Sequence, residues 1–167
     1  KDDKVRVLKA ESVRTLIGER WLNDEIIHYI LDRLQNSIKR DSKHLFMIFA
    51  PLFYDQLTKT ESVHIKYNFA KVSTYLKRVS GNILQYKKLL FPMHVDGNHW
   101  ILVVVDFEEK YIFSVDSLHK ENNDHIVNIR TLIRDLRSKY EMEDASIPLV
   151  TLPSHPKWEG DVHQHNG

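Results

Sequence analysis

Apolar residues recur at helical spacing in two long segments of the chain. The first begins after Asn23, a residue type suited to cap a helix, and predicts an amphipathic helix over residues 24–38. Asp24 and Glu25 fall in its first turn, where carboxylates interact favourably with the positive end of the helix dipole. The second segment predicts a helix over residues 124–140. Shorter patterns predict helices at residues 11–17, 52–57 and 69–79.

Three segments rich in Val, Ile and aromatic residues follow one another at residues 89–95, 100–107 and 111–115. Asp96-Gly97 between the first two is a strong hairpin signal, and residues 108–110 suit a second short turn. The middle segment is apolar at successive positions, so we expect both of its faces to be buried. Residues 45–50 and 149–152 predict two more strands. The sequence therefore predicts an α+β domain whose central, mostly antiparallel sheet is flanked by helices.

Composition describes one ordinary globular domain over residues 1–167, because 42% of the residues are hydrophobic, 28% are charged, and no repeat or linker interrupts them. Lys and Arg number 24 against 23 acidic residues, and this balance gives no reason to expect nucleic acid as a partner. No apolar run approaches the roughly 20 residues that span a bilayer, so no membrane partner is expected. The absence of cysteine excludes a disulfide-built secreted domain and favours an intracellular setting.

The predicted meander brings two chemically active side chains together. His99 precedes the middle strand and Asp116 follows the next one, so the turn at residues 108–110 makes them near cross-strand neighbours, within a residue or two of register. A carboxylate against an imidazole fixes its tautomer and raises its basicity, as in the base-and-orienter half of a nucleophilic triad. From geometry alone, a strand-end ion pair with no catalytic role stays an open alternative.

Two groups of histidine and aspartate residues raise the alternative of a metal site. They are His163, His165 and Asp161 near the end of the sequence, and His94, Asp96 and His99 around the hairpin. Zinc needs three or four convergent ligands, and helical His-x-x-x-His spacing is absent, so the sequence favours neither a metal nor another cofactor. The other loop histidines, His119, His125 and His155, are expected to face solvent.

Four short motifs occur in a fixed order along the chain. They are Trp21-Leu22-Asn23-Asp24 at the start of the long helix, Asn98-His99-Trp100, Val115-Asp116-Ser117, and Gln164-x-Asn166-Gly167 at the last residues. This order, in which the aspartate follows the histidine seventeen positions later, resembles the ubiquitin-like-protein-specific (sentrin or SUMO) cysteine protease family. Each motif alone is a weak signal, but four together are hard to obtain by chance.

The resemblance implies a variant of the papain-like cysteine protease fold that cleaves SUMO after its C-terminal Gly-Gly, in precursors or in conjugates, through a Cys-His-Asp triad. His99 would deprotonate the cysteine, Asp116 would orient the imidazolium, and Gln164 would donate to the developing oxyanion.

The resemblance also implies how a modifier is bound. Trp21 and Trp100 would cover the Gly-Gly tail in a tunnel that admits only residues without side chains. Asp24 and Glu25 would contact basic residues on the surface of SUMO or another ubiquitin-like protein. The family further implies a nuclear or cytoplasmic location.

By the family pattern, the cysteine would come three residues after Gly167. The resemblance therefore implies a C-terminally incomplete protease domain, and we expect the 167 residues alone to be inactive because they contain no thiol. Three alternatives stay open: a binding module that keeps the modifier-binding face without catalysis, a protease directed at Nedd-type modifiers or ubiquitin, and a metal-dependent hydrolase.

Overall fold

The computed structural model describes residues 7–18, 20–38, 45–61, 64–78, 83–140 and 150–151. Helices flank a five-stranded mixed sheet in this part of the chain, which confirms the predicted α+β class. No helix within these ranges is both long and apolar enough to cross a bilayer.

The helices begin and end within one residue of the predicted bounds. They are α1 (Ala10–Val13), which continues as a 3₁₀ turn (Arg14–Leu16), α2 (Asp24–Ile38), α3 (Phe53–Leu57), α4 (Phe69–Arg78) and α5 (Asn123–Lys139), with another 3₁₀ turn at Ile83–Gln85. Asn23 caps α2 as predicted, since its Oδ1 accepts the backbone N–H of Ile26 at 3.1 Å.

The strands of the main sheet are β1 (Phe46–Ile48), β4 (Lys88–Val95), β5 (His99–Asp106), β6 (Tyr111–Val115) and β7 (Val150–Thr151). They lie side by side in that order. The long central ladders β4–β5 and β5–β6 are antiparallel, which confirms the predicted meander, and the short edge strands β1 and β7 pair in parallel. A separate hairpin of β2 (Thr58–Glu61) and β3 (His64–Tyr67) was not predicted from the sequence.

One apolar cluster joins the sheet to the helices around it. Val103, Val104 and Val105 are consecutive residues of β5 and all are buried; because successive side chains point to opposite faces of a sheet, both faces of β5 are covered. Next to them on β4, the Phe91 ring stacks on Phe49 with 4.2 Å between ring centroids. The helix α5 contributes five buried apolar side chains, Ile126, Ile129, Leu132, Ile133 and Leu136.

The outer edge of β1 contacts a side chain of α2. The amide of Gln35 accepts the backbone N–H of Ile48 through Oε1 at 2.7 Å and donates through Nε2 to the carbonyl of Phe46 at 3.3 Å. These two bonds satisfy a donor and an acceptor of the edge strand, in the manner of a neighbouring strand.

Candidate active site

His99 is the first residue of β5 and is almost completely buried, with a 3% exposed side chain. The turn at Asp96, Gly97 and Asn98 positions it opposite Val95 on β4. Asp96 and Gly97 both adopt positive φ, of 54° and 77°, which is why this sequence suits a tight turn. The hairpin therefore fixes the backbone of His99 at one end of the central strand.

Asp116 follows β6 directly, and its carboxylate contacts the His99 ring: Oδ1 lies 2.6 Å from Nε2. The β5–β6 ladder pairs Leu102 with Val115, so the same register, carried on by one residue, puts Asp116 opposite Ile101. The two side chains therefore meet diagonally, two residues out of direct register. This lies within the stated uncertainty of the predicted register and brings the pair together as expected.

Further donors hold the Asp116 carboxylate in its ionised form. The backbone N–H of Leu118 donates to Oδ1 at 2.7 Å, and Nδ2 of Asn122 donates to Oδ2 at 3.0 Å. Burial raises the pKa of Asp116, but the hydrogen bonds from Asn122, Leu118 and His99 outweigh burial and hold the pKa below its ordinary value. An ionised carboxylate only accepts hydrogen bonds, so Nε2 of His99 is the donor and Nδ1 carries the lone pair of the neutral ring.

Asn122 is a site residue that the sequence did not reveal. It precedes α5, is buried with 7% exposure, and donates to Asp116, to the carbonyl of Lys120 at 3.0 Å and, more weakly, to Ser114 Oγ at 3.4 Å. An asparagine before a helix normally signals a cap, yet this side chain makes no capping hydrogen bond. The only hint in the sequence is that Asn122 follows Asp116 by six residues, close enough for a short loop to bring the two side chains together.

Trp100 joins the histidine motif to the tryptophan motif. Its indole Nε1 donates to the carbonyl of Leu22 at 3.3 Å, and its ring lies 4.8 Å from the His94 ring, between centroids. A cavity of about 190 Å³ next to it includes Asp24 in its lining. The complete lining is Leu22, Asn23, Asp24, Pro51, Leu52, Asp55, His94 and Trp100.

The other predicted modifier-binding residues differ in exposure and contacts. Trp21 is 42% exposed and does not line this cavity, and Asp24 is exposed. Glu25 is half-buried, and its carboxylate accepts a hydrogen bond from the Ser12 hydroxyl, which also accepts from Asn23 at 2.8 Å. Glu25 thus ties α1 to α2, and its role toward a modifier stays a prediction.

His125 is half-buried rather than fully exposed, so the prediction that it faces solvent is only partly right. It lies on α5, and its Nδ1 lies 2.8 Å from the hydroxyl of buried Tyr54 on α3. The partial burial of His125 comes from this contact, which local sequence does not reveal because Tyr54 lies 71 residues earlier in the chain. His119, by contrast, is exposed as predicted.

Several predicted residues lie outside the described part of the chain, including the oxyanion candidate Gln164 and the histidines His155, His163 and His165. Within the described ranges, no three His, Cys, Asp or Glu side chains converge to form a metal site.

Comparison with solved structures identifies the fold. The SUMO protease Ulp1, in a structure whose catalytic cysteine is oxidised to a sulfinic acid, matches 93% of this chain and 68% of its own chain. The TM-score is 0.68 and the sequence identity 24%, so this likeness shows the fold. The described elements therefore have the same fold as the Ulp1 structure.

A family model places the sequence more closely. The model of the Ulp1 protease family, C-terminal catalytic domain, matches residues 20–165. Because this match covers most of the sequence, the chain belongs to the Ulp1 protease family. The resemblance inferred from the four motifs is thereby confirmed.

Two relatives show how the chain compares with whole proteins. It is 32% identical over 119 residues to a sentrin-specific protease of Caenorhabditis elegans, and 30% identical over 138 residues to ubiquitin-like-specific protease 1 of Saccharomyces cerevisiae. These alignments cover 71% and 83% of this chain, but the chain spans only 16% and 20% of the two relatives.

Proposed function

We propose that this chain is part of the catalytic domain of a cysteine protease that cleaves SUMO after its Gly-Gly. His99 is its general base, and Asp116 orients the imidazole ring. The contact of 2.6 Å between His99 Nε2 and Asp116 Oδ1, with 3% of each side chain exposed, carries this proposal. A buried, oriented imidazole with its lone pair on Nδ1 is the base that a cysteine thiol needs.

In the proposed reaction, Nδ1 of His99 takes the thiol proton as the thiolate attacks the carbonyl carbon of the terminal glycine. Gln164 donates to the oxyanion, a contact worth about 3–4 kcal/mol of the barrier. The carbon–nitrogen bond then breaks, His99 returns the proton to the leaving amine, and a thioester remains. Water hydrolyses the thioester with His99 again as the base, which releases the modifier with a free carboxyl group and restores the thiol.

The cavity beside Trp100 supports the Gly-Gly preference. An indole whose N–H is bonded to the Leu22 carbonyl is a fixed, flat wall next to the chain of residues 22–24. A tail without side chains passes such a wall more easily than a tail with them. The exposed carboxylate of Asp24 at this cavity suits a basic residue on the modifier.

The first experiment uses SUMO that carries an electrophile at its C-terminus. Because the 167 residues contain no cysteine, labelling is measured on a longer form that includes the cysteine expected after Gly167, with the 167-residue chain as the control. We expect covalent labelling of the longer form alone. SUMO without its last two glycines should label neither protein. Absence of labelling with SUMO, accompanied by labelling with ubiquitin or a Nedd-type modifier, would reassign the substrate.

Variants of the longer form test the roles of the two residues. His99→Ala or Asp116→Ala should lower kcat for cleavage of a SUMO conjugate by at least about 100-fold while the Kd for SUMO changes little. Calorimetry and single-turnover cleavage give the two quantities separately. Retained turnover in either variant contradicts the assignment of the triad.

A second candidate function is a modifier-binding module without catalysis. One observation favours it: Asp24 and Trp100 line a cavity that a modifier can occupy whether or not a nucleophile is present. Binding of SUMO by both forms, with no labelling and no cleavage by the longer one, would support it over the protease.

A further inference from the structure

Both oxygens of the Asp116 carboxylate are occupied, and by different parts of the chain. Oδ1 accepts from His99 and from the Leu118 backbone, whereas Oδ2 accepts from Asn122. Rotation about the Cβ–Cγ bond moves both carboxylate oxygens together, so the donors at Oδ1 already restrain it. The bond from Asn122 adds a restraint at the second oxygen and thereby helps to hold the carboxylate plane.

The Asn122 amide is itself fixed. Its two N–H protons have two close acceptors, Asp116 Oδ2 and the Lys120 carbonyl, both at 3.0 Å, and the 3.4 Å contact to Ser114 Oγ is the weakest of the three. Burial at 7% exposure keeps water from replacing these partners.

The helix that follows does not need this side chain. The first intrahelical bond uses the Asn122 backbone, whose carbonyl accepts the N–H of Ile126 at 3.0 Å, and the side chain makes no capping bond. The amide is thus directed at Asp116 rather than at the orphan N–H groups of α5.

We propose that Asn122 is a positioning residue, which holds the Asp116 carboxylate in the plane that keeps the proton of His99 on Nε2. The importance of Asn122 for catalysis rests on the proposed function. Its effect on Asp116 and His99 can be measured on this chain without any turnover. His99 is the titratable side chain in contact with the carboxylate.

The test uses NMR of the chain with ¹⁵N-labelled histidine and asparagine and ¹³C-labelled aspartate. In the unmutated protein, the Nε2–H signal of His99 should exchange slowly with water. The Asn122 side-chain NH₂ signal should shift with the same midpoint as the titration of the Asp116 carboxyl group. The neighbouring Asn123, which is exposed and bonds to Glu121 at 3.2 Å, is the internal control and should not follow that midpoint.

Two variants sharpen the test. Asn122→Asp keeps the shape but replaces the donor by an acceptor, and Asn122→Ala removes both. Each should raise the pKa of Asp116 and speed the exchange of the His99 Nε2–H proton with water by about tenfold or more, whereas Asn123→Ala should change neither. An unaltered His99 signal in a folded variant, or an Asn122 signal in the unmutated protein that ignores the Asp116 titration, would overturn the proposal.

In the longer form that carries the nucleophile, Asn122→Asp should lower kcat by about 10- to 100-fold with KM nearly unchanged, as for other residues that orient an active group. A variant that only lowers the melting temperature has a structural role and contradicts the inference. If the NMR results hold while the longer form cleaves no SUMO conjugate, the proposed function fails and the positioning role of Asn122 stands.

Discussion

His125 on α5 and Tyr54 on α3 form a half-buried polar contact. Burial raises the pKa of Tyr54 to about 12, so its hydroxyl stays protonated at neutral pH. This hydroxyl accepts from Asn128 Nδ2 at 2.9 Å and lies 2.8 Å from His125 Nδ1. Burial lowers the pKa of His125, which favours the neutral ring in the folded protein.

This arrangement predicts that the protein loses stability in mild acid. Burial lowers the pKa of His125 below its ordinary 6.5, although Asp124 and Asp96 oppose the shift. The unfolded chain then binds the proton more readily, so the contribution to the free energy of unfolding is complete above pH 6.5 and is lost as the pH falls through the folded-state pKa. His125→Gln should reduce the slope of this free energy between pH 7 and 5, by at most about 1.4 kcal/mol per pH unit.

Urea unfolding at each pH measures that slope. The matched control is His119→Asn at an exposed position with φ of 52°, a conformation that asparagine tolerates. His119→Asn should keep the slope of the unmutated protein. Equal slopes for His125→Gln and the unmutated chain would show that His125 does not titrate as a buried group.

At the scale of elements, Asp106 ends β5 and organises the turn into β6. Its side chain is 7% exposed, pairs with Lys88 on β4, and accepts through Oδ1 the backbone N–H groups of Glu108 and Glu109, each at 3.1 Å. The Asp106 carboxylate thus connects β4, β5 and the turn between β5 and β6. That turn sets the pairing of β5 with β6, which in turn positions Asp116.

Asp106→Ala should therefore destabilise the protein by about 1–3 kcal/mol, because it leaves partly buried donors without an acceptor. The control is Glu108→Ala, which removes an ion pair with Lys87 in which both side chains are 48% exposed and should cost less than about 1 kcal/mol. Urea midpoints of the two variants test the difference. Equal midpoints would mean that the turn forms without the Asp106 carboxylate.

The sequence predicts those elements whose partners are local. The periodic helices α2 and α5 and the meander of β4, β5 and β6 follow from spacing and turn residues, and the meander brings His99 and Asp116 together. The β2–β3 hairpin was not predicted because its strands are largely polar and the sequence between them contains neither Gly nor Pro. The parallel pairing of β1 with β4 could not be predicted, because no local sequence signal specifies a partner so far along the chain.

The same distinction explains the site. His99 and Asp116 lie at strand ends joined by one short turn, so their proximity could be inferred before their register was known. The bond from Asn122 to Asp116 depends on the path of the loop between β6 and α5, and the contact of His125 with Tyr54 joins two helices far apart in sequence. No periodicity encodes either contact.

At the scale of the whole molecule, stability depends on the aromatic centre beneath the sheet. Phe91 is 1% exposed and contacts both Phe49 and Phe53, with 5.9 Å between the centroids of Phe91 and Phe53. Phe91→Ala should lower the free energy of unfolding by about 3–5 kcal/mol, because it removes buried area and leaves a cavity.

Val127→Ala is the control for that measurement, since Val127 is 56% exposed on α5 and its truncation should change the free energy by no more than about 0.5 kcal/mol. Chemical unfolding followed by tryptophan fluorescence compares the two. A loss below 1 kcal/mol for Phe91→Ala would mean that the surrounding side chains collapse into the vacated space.

The Gln35 amide at β1 has a consequence for how this molecule meets others. An uncovered edge strand is a template on which a second polypeptide can lengthen the sheet, whether in a complex or in an aggregate. Gln35 already bonds the N–H of Ile48 and the carbonyl of Phe46. An added strand at the β1 edge must therefore first break two hydrogen bonds. A single side chain of α2 thus protects the β1 edge of the sheet against the addition of another strand.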